Sequence, residues 1–299
     1  MFESPFQTRP EGYDTFLSQV KVRKDLKYRQ SSDEGRFDAY YPDEPGENIY
    51  PTILWVHGGG FVGGDKSDVR NFAVMLAKEG YVVLAMNYDR APEMHYPSQL
   101  IQIGEFYRHM VHQQQGLPID KESIFFAGDS AGAQMVTNFL AIQYDRDLSK
   151  RTGVAQVVDL KEIRGILLFC GLYDIDRFKD MFDVHLFRIA VSKIARSYFG
   201  NKDWKSSREY TDSSVMSHLS KGFPRTFITD GNHHSFQNQG LILADRLEEK
   251  GVYVDRLFFA LESKVIHEYQ FKLDTKEARH ALQRTIRFLK EAQVLREEL

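Results

Sequence analysis

Ile124-Phe125-Phe126-Ala127-Gly128-Asp129-Ser130-Ala131-Gly132 is the stretch on which the reading of the fold turns. Its first four residues are an apolar run without alternation, as in a strand buried on both faces. Its last five fit the pattern G-x-S-x-G, in which a serine stands on a sharp turn between a strand and a helix. That turn strains the serine backbone and tolerates only small neighbours, which Gly128, Ala131 and Gly132 supply. The N-terminus of the following helix aims its dipole at negative charge developing beside the serine. The competing reading is a glycine-rich turn with no chemistry. The flanks argue against it, since a helical pattern of small and apolar residues follows over 131–144.

Working outward, the same kind of apolar run recurs at 52–56, 81–86 and 166–170, and two further strands are expected at 225–229 and 252–259. Two earlier segments, 20–24 and 36–41, alternate apolar and polar residues and are separated by the turn Ser31-Ser32-Asp33-Glu34-Gly35. Helical patterns fill the intervals at 69–78, 97–112, 131–144, 237–250 and 276–294, and Gly251 ends the fourth of these. Strands alternating with helices predict an α/β chain with a mostly parallel, doubly wound sheet of about eight strands and helices on both faces. We read residues 1–299 as a single domain. The stretch 174–221 breaks the rhythm with aromatic and helical character, for example over 187–198. It reads as a helical cap inserted over the end of the sheet where ligands bind in such folds.

Composition narrows the function class. With 42% hydrophobic and 27% charged residues the chain has the make-up of an ordinary globular protein. A formal net charge of −3 lacks the strongly basic balance of a nucleic-acid binder. The one cysteine, Cys170, cannot form an intrachain disulfide and sits in an apolar run that suits a core thiol. The first residues, Met1-Phe2-Glu3-Ser4-Pro5-Phe6, lack the basic and apolar pattern of a secretory leader, and no apolar run reaches the length of a membrane span. A cytoplasmic location is the expectation.

A second motif, His57-Gly58-Gly59-Gly60, directly follows the strand expected at 52–56. Glycines let backbone N–H groups come close to a ligand, as an oxyanion hole requires. The Ala131 N–H, next to the serine, adds a donor. No phosphate-binding glycine pattern is present. His57 precedes the loop and reads as structural.

These two motifs, with Phe61 after the glycines, make the chain similar to the hormone-sensitive-lipase-like carboxylesterases of the α/β-hydrolase fold. The resemblance covers residues 35 to 295. The segment Asn87-Tyr88-Asp89-Arg90-Ala91-Pro92-Glu93 also resembles the family's Y-R-L-A-P-E, with Asp89 and Arg90 where Arg and Leu are usual. The resemblance implies Ser130 as nucleophile and Gly59, Gly60 and Ala131 as oxyanion donors.

In this fold the base is a histidine arriving after the acid in the chain. Of ten histidines, His267 fits, because it follows the last expected strand and precedes the last helix. His109 and His112 come too early, and His280 lies within the final helix. The acid departs from the family. Aligned on the strand at 225–229 and on Gly240, the family's aspartate position falls on His234, which cannot act as a carboxylate. Asp230 is the nearest acid, and its alternative use is to cap a turn with Gly231. Asp174 and Glu268 are the other candidates, and a Ser–His dyad completed by water or a backbone carbonyl is a fourth arrangement. Adjacent His233 and His234 point apart and have no acid or cysteine cluster beside them, so no metal is expected. His234 instead reads as lining the pocket mouth.

The expected chemistry is hydrolysis of a small or short-acyl ester through an acyl-enzyme, with no cofactor. Phe61, Phe187 and Tyr198 are candidate apolar walls. Two other readings stay open at this point. One is a ligand-binding protein on a degenerate hydrolase scaffold, and the other is a small-amide hydrolase such as a formamidase. A small-molecule ester is the expected partner, with no nucleic acid, no membrane span and a homodimer left open.

Overall fold

Alternate residues of the central strands enter two different cores. Leu54, Val56, Leu84, Phe126, Leu168 and Ile228 pack into one, and Ile53, Trp55, Val83, Phe125, Leu167 and Phe227 into the other. This is the two-residue period of a pleated strand with both faces covered. It explains why the apolar runs show no alternation. Truncating a fully buried member such as Phe126 to alanine costs about 3–5 kcal/mol.

A computed structural model of the chain describes residues 7–44, 46–174 and 185–297, the side chains of 185–190 and 295–297 excepted. Phe187, a candidate pocket wall, lies outside the described side chains. Among the described residues, the strands are β1 (Val20–Lys27), β2 (Arg36–Pro42), β3 (Tyr50–Val56), β4 (Val82–Met86), β5 (Ile119–Asp129), β6 (Ile163–Phe169), β7 (Thr226–Thr229) and β8 (Val254–Leu257). They form one sheet in the order β1-β2-β4-β3-β5-β6-β7-β8. β1 and β2 pair antiparallel, as do β2 and β4, and every later pair is parallel. The mostly parallel doubly wound sheet read from the sequence is the architecture observed.

The helices are α1 (Tyr13–Leu17), α2 (Arg70–Lys78), α3 (Ser98–Gln113), α4 (Ala131–Tyr144), α5 (Arg146–Thr152), α6 (His185–Phe199), α7 (Arg208–Ser213), α8 (Gln237–Glu249) and α9 (Lys276–Glu297). α3, α4 and α8 cover one face, through residues such as Phe106, Phe139 and Leu243. α2 and α9 cover the other, through Phe72 and Phe288. Leu100, Ile103, Phe106, Tyr107 and Met110 of α3 are buried, while Ile101 is 40% exposed. α1 and α5 are not singled out by the sequence pattern. Both are short, although Asp145 caps α5 by accepting from the Asp147 and Leu148 N–H groups and Gly153 closes it at φ 71°. Among the described residues no helix is long and apolar enough to cross a membrane.

The parallel register gathers the site. Val56 lies beside Gly128, Asp129 beside Phe169, Phe169 beside Thr229, and Thr229 beside Leu257. The C-terminal ends of β3, β5, β6, β7 and β8 therefore share one edge of the sheet. The loops after them carry the glycine motif, the elbow serine and the candidate acid and base.

Candidate active site

The elbow has the strain its pattern implies. Ser130 sits at φ 49°, ψ −116° between β5 and α4. Such a conformation costs about 1–3 kcal/mol and persists only where its surroundings hold it. The Ser130 N–H donates to the Phe169 carbonyl at 2.8 Å, which ties the turn to β6. A Cβ at Gly128 would lie 2.5 Å from the Gly132 backbone, and one at Gly132 would lie 2.0 Å from the Val56 oxygen. Both glycines are therefore required by close backbone approach.

The residue between Gly128 and the serine anchors the second motif. Asp129, only 4% exposed, accepts from the Trp55 indole N–H at 2.7 Å and the Gly58 N–H at 2.8 Å. One buried carboxylate thus fixes the glycine loop against the elbow. Gly59, at φ 109°, turns the loop tightly, and a Cβ there would meet the Gly63 oxygen at 2.2 Å. Among the described residues, no acceptor faces the N–H of Gly59, Gly60 or Ala131. His57 is buried and stacked on Tyr88 with ring centroids 4.5 Å apart, in keeping with a structural role. Its pKa is lowered by burial.

The 87–93 segment braces this loop from behind. Ala91 N–H donates to the Phe61 carbonyl at 2.9 Å, Tyr88 hydroxyl to the His57 carbonyl at 3.1 Å, and Arg90 to the Gly64 carbonyl at 2.9 Å. Its two unusual residues have local partners. Asp89 pairs with Arg29 at 2.9 Å and Arg90 with Glu34 at 2.5 Å.

His267 Nε2 lies 3.0 Å from Ser130 Oγ. Its other ring nitrogen does not meet a carboxylate. Nδ1 lies 2.8 Å from the hydroxyl oxygen of Ser235, and that hydroxyl donates to Asp230 Oδ1. Asp230, 1% exposed, also accepts from the Phe236 N–H at 3.1 Å. Asp230 directly follows β7 at the sheet edge. The intervening loop is laced to the histidine loop: His233 N–H donates to the Val265 carbonyl at 2.8 Å and Val265 N–H to Asn232 Oδ1 at 2.7 Å. A Cβ at Gly231 would meet the Ile266 oxygen at 2.3 Å, so this contact needs glycine as well.

The structure thus brings Ser130, His267 and Asp230 together and adds Ser235, which the sequence reading passes over. The Asp174 N–H donates to Gln239 Oε1 at 2.8 Å, and His267 Nδ1 meets Ser235. The Glu268 carboxylate is 3.4 Å from Nε2, the wrong nitrogen for an orienting acid. Burial raises its pKa, and the nearby Asp129 adds to the effect. A dyad without a carboxylate does not describe the arrangement, because the line from Nδ1 ends on Asp230. Burial lifts Asp230 to about 7, against the hydrogen bonds it accepts, and lowers His267 to about 4. Ligand-type atoms of Cys170, Asp230 and His267 lie within 4.8 Å of one another. In this arrangement Asp230 and His267 are held by Ser235, and the Cys170 thiol donates to Gln270 at 3.4 Å.

A cavity of about 220 Å³ opens beside Ser130, with apolar walls that include Phe61, Leu172, Ile194, Tyr198 and Phe236. His234 also lines it, as the sequence reading had it. Ile194 and Tyr198 come from α6. That helix is held over the site by stacking of Tyr198 on Phe61, centroids 3.9 Å apart, and by the Tyr96 N–H donating to the Tyr198 carbonyl at 2.8 Å.

The pattern that defines the alpha/beta hydrolase fold matches residues 53–270. Among solved structures, the chain is similar to esterase B from Lactobacillus rhamnosis, at 20% identity over 98% of this chain and 90% of that one, with a TM-score of 0.81. It is similar also to an esterase from Pyrobaculum calidifontis, at 19% identity over 94% and 90% of the two chains and a TM-score of 0.70. A third, esterase LipW from Mycobacterium marinum, is 20% identical over 94% of this chain and 85% of that one, with a TM-score of 0.69. At these identities the likeness shows the fold. The match to the defining pattern over most of the length shows more: the chain belongs to the α/β-hydrolase family that includes the hormone-sensitive-lipase-like enzymes.

Proposed function

We propose that this protein is a serine carboxylesterase that hydrolyses small or short-acyl esters through an acyl-enzyme. The observation that carries the reading is the 3.0 Å approach of Ser130 Oγ to His267 Nε2 at the wall of an apolar cavity. Ser130 attacks the ester carbonyl while His267 takes its proton. The Gly59, Gly60 and Ala131 N–H groups receive the oxyanion. His267 then protonates the departing alcohol. Water, deprotonated by the same imidazole, cleaves the acyl-enzyme and restores Ser130. Asp230 holds the imidazole tautomer and offsets its transient positive charge.

The α6 segment acts as part of the cap expected over 174–221 in this reading, because it supplies part of the cavity wall. The modest apolar space favours a short acyl group over a long one. The similar solved structures are of esterases, which supports an ester over an amide. Hydrolysis of p-nitrophenyl acetate tests the reading. Ser130→Ala should lower turnover at least about 10⁴-fold. Turnover at the wild-type level in that variant would refute the assignment.

A further inference from the structure

We propose that Ser235 is a positioning residue, whose hydroxyl carries the hold of Asp230 to the base His267 in place of a direct carboxylate contact. The inference rests on the esterase reading of Ser130 and His267 and deepens it.

An ionised carboxylate can only accept hydrogen bonds. With Asp230 ionised, the Ser235 O–H points to Oδ1 and leaves an oxygen lone pair facing His267 Nδ1. Nδ1 must then carry the imidazole proton, and Nε2 is free to accept from Ser130 Oγ. Each donor in this line is used once, and the line ends on a charge. If Asp230 takes up a proton, the direction can reverse. The carboxylic O–H donates to Ser235, the Ser235 O–H turns to Nδ1, and the ring proton sits on Nε2, where it blocks proton transfer from Ser130. A hydroxyl passes the direction either way, and a methyl group passes none.

The neighbours of the line fit this role. Asp230 accepts from the Phe236 N–H and has the Cys170 thiol within 4.8 Å, and its charge is felt by the Tyr173 and Tyr269 hydroxyls and the Glu268 carboxyl. His267 is flanked by the Phe236 ring, edge to face at 5.0 Å between centroids, and by Glu268 on its Nε2 side. Among the described residues, Ser235 supplies the hydrogen-bond partner of Nδ1.

The test compares wild type, Ser235→Ala and Ser235→Thr for p-nitrophenyl acetate hydrolysis across pH, with fluorophosphonate labelling of Ser130 as a control. Expected for Ser235→Ala is a loss of about 10- to 100-fold in kcat with KM little changed, the worth of one charge-linked hydrogen bond. Its acid limb should move to lower pH, because Asp230 no longer sets the tautomer. Ser235→Thr keeps the hydroxyl and should stay within about fivefold of wild type, with the wild-type pH profile. An alanine variant with wild-type kcat and profile overturns the inference while labelling at Ser130 keeps the esterase reading. Equal loss in both variants with an unmoved acid limb also overturns it, since that is loss of loop structure. A wild type that neither turns over nor labels overturns the esterase reading and this inference with it.

Discussion

The Nε2 side of His267 faces Ser130 and the glycine loop, which are set at strand ends and locked by backbone contacts. Gly132 packs on Val56, Ser130 N–H bonds to Phe169, and Asp129 clamps Gly58. The Nδ1 side faces Ser235 and Asp230, which depend on a loop held by side-chain and backbone hydrogen bonds to Val265 and by the close approach of Gly231 to Ile266. The first side uses main-chain geometry that only certain residues can adopt. The second uses hydroxyl and carboxyl groups that many loops could supply. The difference teaches that the proposed nucleophile is fixed by the fold, while the orientation of its proposed base is a local solution.

Changes at the ring itself should have the largest effect, because they remove both sides at once. His267→Ala should lower kcat by at least about 10⁴-fold, measured by p-nitrophenyl acetate turnover. Retention of more than a tenth of wild-type activity would mean that another base serves Ser130. On the Nδ1 side, Asp230→Asn should cost about 10³-fold in kcat. That is less than the roughly 10⁴-fold loss known for a direct serine-protease contact, because a hydroxyl stands between. A loss no larger than threefold would remove Asp230 from the account.

On the Nε2 side, Gly59→Ala should lower kcat about 10²-fold with KM little changed. A Cβ there meets the Gly63 oxygen at 2.2 Å, so the loop must shift its donors. Unchanged kcat would place the oxyanion donors elsewhere. Next in size is the pH response. Burial lifts Asp230 to about 7 and lowers His267 to about 4. The competent form has Asp230 ionised and His267 neutral, so kcat should fall as pH drops through about 7 and hold above it. His267 stays neutral across that range, so the limb belongs to the acid. A flat profile from pH 5 to 8 would break the link between the two sides. Smallest is Glu268→Gln, expected within about threefold of wild type. Its carboxyl is held toward the neutral form by burial, and the amide mimics that form.

How much was legible in the sequence follows the same division. The buried strands, the elbow and the glycine loop leave local marks, because close backbone approach demands glycine and two-sided burial demands continuous apolar runs. Chain order alone points to His267. Asp230 was reachable as the acid nearest a strand tip. Ser235 was not, because a serine in a polar loop carries no local pattern, and its role arises from contact with His267, 32 positions away. His234 stands where the family's acid is expected and lines the cavity, and nothing in the local sequence marks which residue replaces that acid.

The most direct measurement is to treat the protein with a fluorophosphonate, digest it and map the modified residue by mass spectrometry. One adduct on Ser130, suppressed in His267→Ala, is the predicted result. An adduct on another serine, or none while ester hydrolysis proceeds, would contradict the account.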